Sequence, residues 1–238
     1  MGDFLRKVIG LLRMQLHFFA NQRYLNDLER IEKYLMDDQE HALRAKNFVL
    51  TVGYSKSGKT TFVDRHNVLS TYFRLSTNTI HDYLNQAFFF LKDDNSITGH
   101  AYWERQFLTS LIRNNVLEKA FSQGFAVVND SDNLSRKERA KRLRLAKRHG
   151  YRTHIVLIEC NEKLLLDRLG KSDEELLKNG GKPTWVALYK DIQMARFEKV
   201  TVGEADRIIR FEPITTEQAN KIGSFVSQIH LPDDILFD

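Results

Sequence analysis

The 238-residue sequence predicts an α/β fold: a three-layer sandwich on a mainly parallel sheet of about five strands, preceded by a helical appendage. Three observations predict it. From residue 47 onward, short apolar runs alternate with helix-length segments, the pattern of βα units. A glycine-rich turn stands between the first such strand and the first such helix. Residues 4–35 instead carry two apolar stripes at helical spacing and no strand signal.

The elements follow in order. Leu5, Val8, Ile9, Leu12, Leu16 and Phe19 share one helical face, with Arg6, Lys7, Arg13 and Gln15 largely elsewhere. Tyr24, Leu25, Leu28, Ile31 and Leu35 form a second stripe, and the charge-rich segment 37–47 leads out of it. Residues 1–46 therefore read as an appendage, and 47–238 as the main domain. The appendage's apolar face suits packing on the body, self-association, or peripheral contact with an anionic membrane through residues 4–35. Strands are expected at 48–52, 71–76, 125–128, 152–159 and 205–211. Helices are expected from Lys59, at 79–91, 101–123, 135–149, 162–169, 185–199 and 216–229. Ser135 stands as N-cap and Gly150 as the residue past the end of the basic helix. Residues 93–99 read as a polar loop. Residues 170–182, with Gly180 and Gly181, read as a mobile loop.

Composition narrows the classes. With 42% hydrophobic and 28% charged residues, the chain has the makeup of a soluble globular protein. Only 3 Pro and 12 Gly exclude a low-complexity chain. The net charge of +5 suits an anionic ligand, nucleic acid included. The single cysteine, Cys160, excludes an internal disulfide and a thiolate zinc cluster, and fits a packed thiol in a reducing cytoplasm. No uncharged run reaches the ~18 residues of a membrane span. Arg13 interrupts the N-terminal apolar stretch and no small-residue cleavage site follows, against a signal peptide. Arg6 occupies the Ser/Thr position of a myristoylation signal that Gly2 would begin.

The chemistry is concentrated in Gly53-Tyr54-Ser55-Lys56-Ser57-Gly58-Lys59-Thr60, which fits GxxxxGK[ST] at every fixed position, with an apolar strand before it and a helix after. This is a P-loop, and the fold it belongs to is the P-loop NTPase sandwich. The glycines let consecutive amides turn inward onto phosphate oxygens. Lys59 reaches the β- and γ-phosphates, the Thr60 hydroxyl is placed to ligate Mg²⁺, and the nucleotide-binding residues run from Gly53 to Thr61. The implied cofactors are ATP and Mg²⁺. No DxxG or NKxD pair of a GTPase is found. The eight histidines show no zinc spacing, and no RNA-binding signature with paired aromatics appears. The cations of 135–149 read as a solvated face.

A second stretch refines the class. Val127-Val128-Asn129-Asp130-Ser131-Asp132-Asn133-Leu134, followed by Glu138-Arg139, resembles the signature of the polynucleotide-kinase-like P-loop kinases, a group related to the zeta toxins. Gly150-Tyr151, Glu159-Cys160-Asn161 and Phe197-Glu198 look like the same group, and the resemblance covers about residues 47–212. It implies that Asp130 holds Mg²⁺ through water, that Asn133 orders its loop, and that Arg168 clamps the transferring phosphoryl group from a lid at about 168–184. The second lid arginine is replaced by Lys171 and Ser172. Position 132 departs from the family's Thr, so that Asp132 either binds metal or repels an anionic substrate. Asn78 stands where the family carries the Asp that takes the acceptor's proton, and an amide cannot act as a base. The role then falls to His81 or Asp82, or transfer is weak. The function implied is ATP-dependent phosphoryl transfer to a hydroxyl acceptor: a nucleic-acid 5′-end, a nucleotide or a sugar nucleotide. The alternative is a nucleotide-binding regulatory module with weakened or lost kinase activity.

Overall fold

The structure, a computed structural model, describes residues 22–87 and 100–213. The helices expected at 4–19 and 216–229 and the loop at 93–99 lie outside the described residues. The described chain forms two compact units, one of residues 22–40, 78–87 and 100–116, the other of residues 41–77 and 117–213.

The first unit is helical. Helix α1, Gln22–Asp37, buries Leu28, Ile31 and Leu35, and its Tyr34 ring stacks on Tyr83 at 6.1 Å. Its buried Glu32 accepts a hydrogen bond from the Asn115 side-chain amide at 2.7 Å. Such a carboxylate tolerates burial only when partnered. Ile80 and Leu84 of α3 (Thr77–Ala87) and Leu108, Ile112 and Val116 of α4 (His100–Ser122) supply further buried apolar positions at helical spacing.

The second unit holds the sheet. Its five strands, β1 (Asn47–Val52), β2 (Phe73–Ser76), β3 (Val127–Asp130), β4 (Arg152–Ile158) and β5 (Arg207–Phe211), run all parallel in the order β2-β3-β1-β4-β5. Helices cover both faces, so the strands are apolar on both sides and read as continuous runs rather than alternations. On one face Val49, Val128 and Val156 pack with Phe62 and Val63 of α2 (Lys59–Arg65). On the other, Phe48 meets Phe121 edge-on at 5.2 Å, and α5 (Arg136–Arg148) lies along β1 and β4.

Several boundaries differ from expectation, three of them for a visible reason. β3 runs Val127–Asp130 rather than 125–128, because the Phe125 and Ala126 amides bond to the Ala120 and Leu43 carbonyls outside the sheet. β2 is shortened at its start by a 3₁₀ turn, Leu69–Thr71. The mobile loop expected at 170–182 is largely helix: α6 runs Glu162–Lys178. Gly180 (φ 74°) and Gly181 end it, their amides bonding to the Leu177 and Leu176 carbonyls at 3.1 and 2.8 Å. That is a left-handed helix stop, not a flexible hinge. The Asp173 carboxylate then accepts the Thr184, Trp185 and Val186 amides and starts the next helical segment, residues 185–196, whose middle turn Leu188–Gln193 is a π-helix.

Neighbouring β1 are β3 on one side and β4 on the other, so the chain's crossovers diverge at the C-terminal end of β1. In open parallel sheets ligands bind at such a switch point. Gly53 and Asp130 stand at these strand ends.

Candidate functional site

Residues 53–58 join β1 to α2 as a tight loop. Gly53 is required by space: a Cβ there would lie 2.9 Å from Ser57 Oγ and 3.0 Å from the Ile158 carbonyl oxygen. Gly58 is required by conformation, φ 109°. Lys56 also takes a left-handed conformation, φ 61°, and its ammonium lies 4.6 Å over the Trp185 ring. Ser57 is fully buried, and its hydroxyl has no partner among the described residues.

Lys59 turns back over the loop. Its ammonium donates to the Gly53 and Tyr54 carbonyls at 3.0 and 2.6 Å and pairs with the Asp132 carboxylate at 2.8 Å. The Thr60 hydroxyl donates to Asp130 Oδ2 at 3.1 Å, while Thr61 is exposed. Thr60 and Asp130 together offer the hard oxygen donors that Mg²⁺ takes in P-loop sites. Among the described residues no cluster of three or more acidic, His or Cys side chains could hold a metal on its own. The buried Asp130 also accepts from Arg74 of β2 at 2.6 Å, and Arg74 contacts Asp64. Sequence reasoning missed Arg74; a lone cation between Phe73 and Leu75 in a short strand was the available signal.

Asp132 is gripped from a second side. Gln193, from the π-helical turn and 4% exposed, donates through its amide to Asp132 Oδ2 and to Ser55 Oγ, both at 2.7 Å. Its carbonyl oxygen accepts the Ser55 amide at 3.2 Å. Ser55 Oγ donates to Asp132 at 3.2 Å, and the Gly53 amide donates to the Asp132 carbonyl at 3.1 Å. No local pattern marks Gln193, 138 residues along the chain from Ser55.

Asn133 (φ 50°) donates to the Thr51 carbonyl at 2.7 Å and to Asn129 Oδ1 at 3.1 Å, and accepts from Arg142. It ties the segment after β3 to β1. Arg168 of α6 donates to the Lys56 and Ser57 carbonyls at 3.3 and 3.2 Å, on the rim of the P-loop. Beside it, burial raises the Cys160 thiol above its usual range, against the opposing pull of the Arg168 cation. Lys171 instead pairs with Asp167 at 2.7 Å. Gly53 to Thr61, Asp130, Asp132 and Arg168 thus belong to one unit. Asn78, His81 and Asp82 lie in the first two turns of α3 and belong to the other unit; Asn78 and Asp82 are exposed.

The basic helix α5 divides its cations. Arg139 and Arg142 are buried. Lys137, Lys141, Arg144 and Arg148 lie exposed at i, i+4, i+7, i+11 on one solvated stripe. Glu198, which the resemblance picked out without a role, caps the helix: its carboxylate accepts the Arg136 amide at 2.6 Å and the Ser135 hydroxyl at 3.1 Å. No helix among the described residues is long and apolar enough to cross a membrane.

Comparison with known proteins bears on this site. Residues 48–176 match a family model described as an AAA domain, which takes in the P-loop, Asp130 and Arg168. No curated protein is similar enough in sequence to match the chain. Among solved structures, the chain resembles one from the PezAT chromosomal toxin–antitoxin system of Streptococcus pneumoniae, with 14% identity, a TM-score of 0.57, and coverage of 81% of this chain and 78% of that one. It also resembles a kinase candidate from Chloroflexus aurantiacus, with 12% identity, a TM-score of 0.53, and coverage of 79% of this chain and 97% of that one. At these identities the likeness is one of fold.

Proposed function

Given that the chain belongs to the AAA-domain family, whose match spans residues 48–176, we propose that it binds ATP with Mg²⁺ at its P-loop and transfers the γ-phosphoryl group to a hydroxyl acceptor. The observation that carries this reading is the convergence of the Thr60 hydroxyl on the Asp130 carboxylate, at 3.1 Å, beside Lys59. Thr60 and Asp130 would hold the metal, which when bound neutralises charge between the β- and γ-phosphates. The loop amides would cradle the phosphates. Arg168, already on the loop's rim, is placed to meet charge that develops on the transferring group. The acceptor oxygen forms the new bond to phosphorus as the bond to the bridging oxygen breaks, ADP leaves, and the acceptor's proton goes to a base. The resemblance to polynucleotide-kinase-like proteins favours a nucleic-acid 5′-end, a nucleotide or a sugar nucleotide as acceptor.

A second reading is supported by Asn78. With an amide at the family's base position, the chain would be a nucleotide-binding regulatory module whose transfer is weak. One experiment separates the two. Incubation with γ-labelled ATP, Mg²⁺ and a panel of 5′-hydroxyl oligonucleotides, nucleosides and sugar nucleotides should label one acceptor class. Tight ATP binding with no label on any acceptor would favour the regulatory module.

A further inference from the structure

The P-loop's donors already have an anion. An ammonium has three N–H donors. Those of Lys59 go to the Gly53 carbonyl, the Tyr54 carbonyl and Asp132. The Ser55 amide, one of the loop N–H groups that a P-loop turns toward phosphate, is spent on the Gln193 carbonyl oxygen. The Ser55 hydroxyl is spent on Asp132. One carboxylate and one carboxamide, bonded to each other at 2.7 Å, therefore satisfy a lysine, a loop amide and a loop hydroxyl together. Oxygens held by a lysine and a loop amide are what a bound phosphate would present at this place. Asp132 is also the position at which the chain departs from the Thr of the polynucleotide-kinase-like group that it resembles.

We propose that the Asp132–Gln193 pair is an internal phosphate surrogate, and that a nucleoside triphosphate binds by displacing it from Lys59 and Ser55. This rests on the nucleotide-binding reading above and deepens it. A triphosphate reaching Lys59 must take one of its three donors. The two carbonyls belong to the loop itself, so the exchangeable partner is Asp132. Left in place, the Asp132 charge would repel the incoming phosphates across a short distance. Displacement of Asp132 breaks its bond to Gln193, so the residue 185–196 segment is coupled to occupancy of the loop. Nucleotide affinity is then set by how firmly that segment holds Gln193, a control point more than a hundred residues along the chain from the P-loop.

The test is calorimetric titration of wild type, Asp132→Asn, Gln193→Ala and Lys59→Ala with ATP and with inorganic tripolyphosphate, each with and without Mg²⁺. Circular dichroism and thermal melts check that each variant folds. Asp132→Asn is near-isosteric and removes the charge, and its single acceptor oxygen can serve either Lys59 or the Gln193–Ser55 side but not both. It should bind both probes at least about tenfold tighter, with or without Mg²⁺. Gln193→Ala should tighten binding in the same direction, by less. Unchanged affinity in both folded variants would overturn the surrogate while leaving the nucleotide site intact. Weaker binding of Asp132→Asn confined to Mg²⁺ would also overturn it, and make Asp132 a metal ligand. If no folded protein in the set, Asp132→Asn included, binds either probe, the P-loop reading itself fails, and the surrogate with it.

Discussion

The fully buried Arg139 guanidinium grips both carboxylate oxygens of Glu204, Nε at 2.7 Å and Nη2 at 3.1 Å. Its remaining nitrogen donates to the Leu134 carbonyl at 2.7 Å, so one side chain joins the loop after β3 to the turn before β5. Burial alone would raise the Glu204 carboxyl, but Arg139 and the Thr201 amide outweigh it and hold it below its ordinary value.

Breaking this pair from one side should be costly. Arg139→Leu strands a buried carboxylate, a loss of about 3–5 kcal/mol by analogy with other buried pairs. Arg139→Lys should also destabilise, since an ammonium cannot form the two-pronged contact. Urea unfolding of both variants checks this. A midpoint equal to wild type for Arg139→Leu would refute the structural role.

Lys59→Ala should sharply weaken nucleotide binding while the fold survives. A hydrogen bond to a charged group contributes about 1.5–3 kcal/mol, so the loss should reach about 10- to 100-fold or more. Titration with a fluorescent ATP analogue, beside circular dichroism of the same sample, measures both. Undiminished binding in a folded variant would remove the P-loop assignment.

Asn78→Asp should raise phosphoryl transfer to the true acceptor. General-base assistance is worth ~10²–10⁴-fold, so even an imperfectly placed carboxylate should give a measurable gain. The change is near-isosteric and Asn78 is exposed, so packing should not confuse the result. If Asp82 or His81 already takes the proton, the gain should be absent, and alanine at the serving residue should instead reduce kcat. Initial rates with labelled ATP decide between them.

Stability should fall with acid near neutrality. His154 of β4 is buried, and neither ring nitrogen has a partner among the described residues. Burial, then the nearby Arg207 and Arg152 cations, lower it below its ordinary 6.5, with Asp206 opposing. The unfolded imidazole therefore takes up a proton that the folded one resists. The His154 contribution to stability is full above pH 6.5 and is lost progressively as pH falls below it toward the folded value. Melting of His154→Leu should show a flatter pH dependence just below 6.5 than wild type. Parallel curves would show that His154 does not titrate on unfolding.

The P-loop was legible in the sequence because its conformation is local. Gly53 and Gly58 are demanded by a Cβ clash and a positive φ within the loop's own surroundings, and Lys59 and Thr60 follow at fixed offsets. The parallel sheet was legible for a related reason: strands buried on both faces must be continuously apolar, and parallel strands need crossover helices. Asn133 as a loop organiser came from the resemblance and is borne out by its bonds to Thr51 and Asn129. The end of α6 was misread because Gly180 and Gly181 have the same composition in a flexible loop as in a helix stop. Only the carbonyls of Leu176 and Leu177 decide which. Gln193, Glu198 and Glu204 carried no signal of their role, and Arg74 only that of a lone cation in a short apolar strand. Each acts on a residue 56 to 138 positions away, and the tertiary fold alone brings them there. The sequence by itself determined that there is a phosphate cradle and where along the chain it lies. The tertiary structure decided what occupies the cradle's donors, because a hydrogen bond requires an approach of about 3 Å, and spacing along the chain says nothing of that.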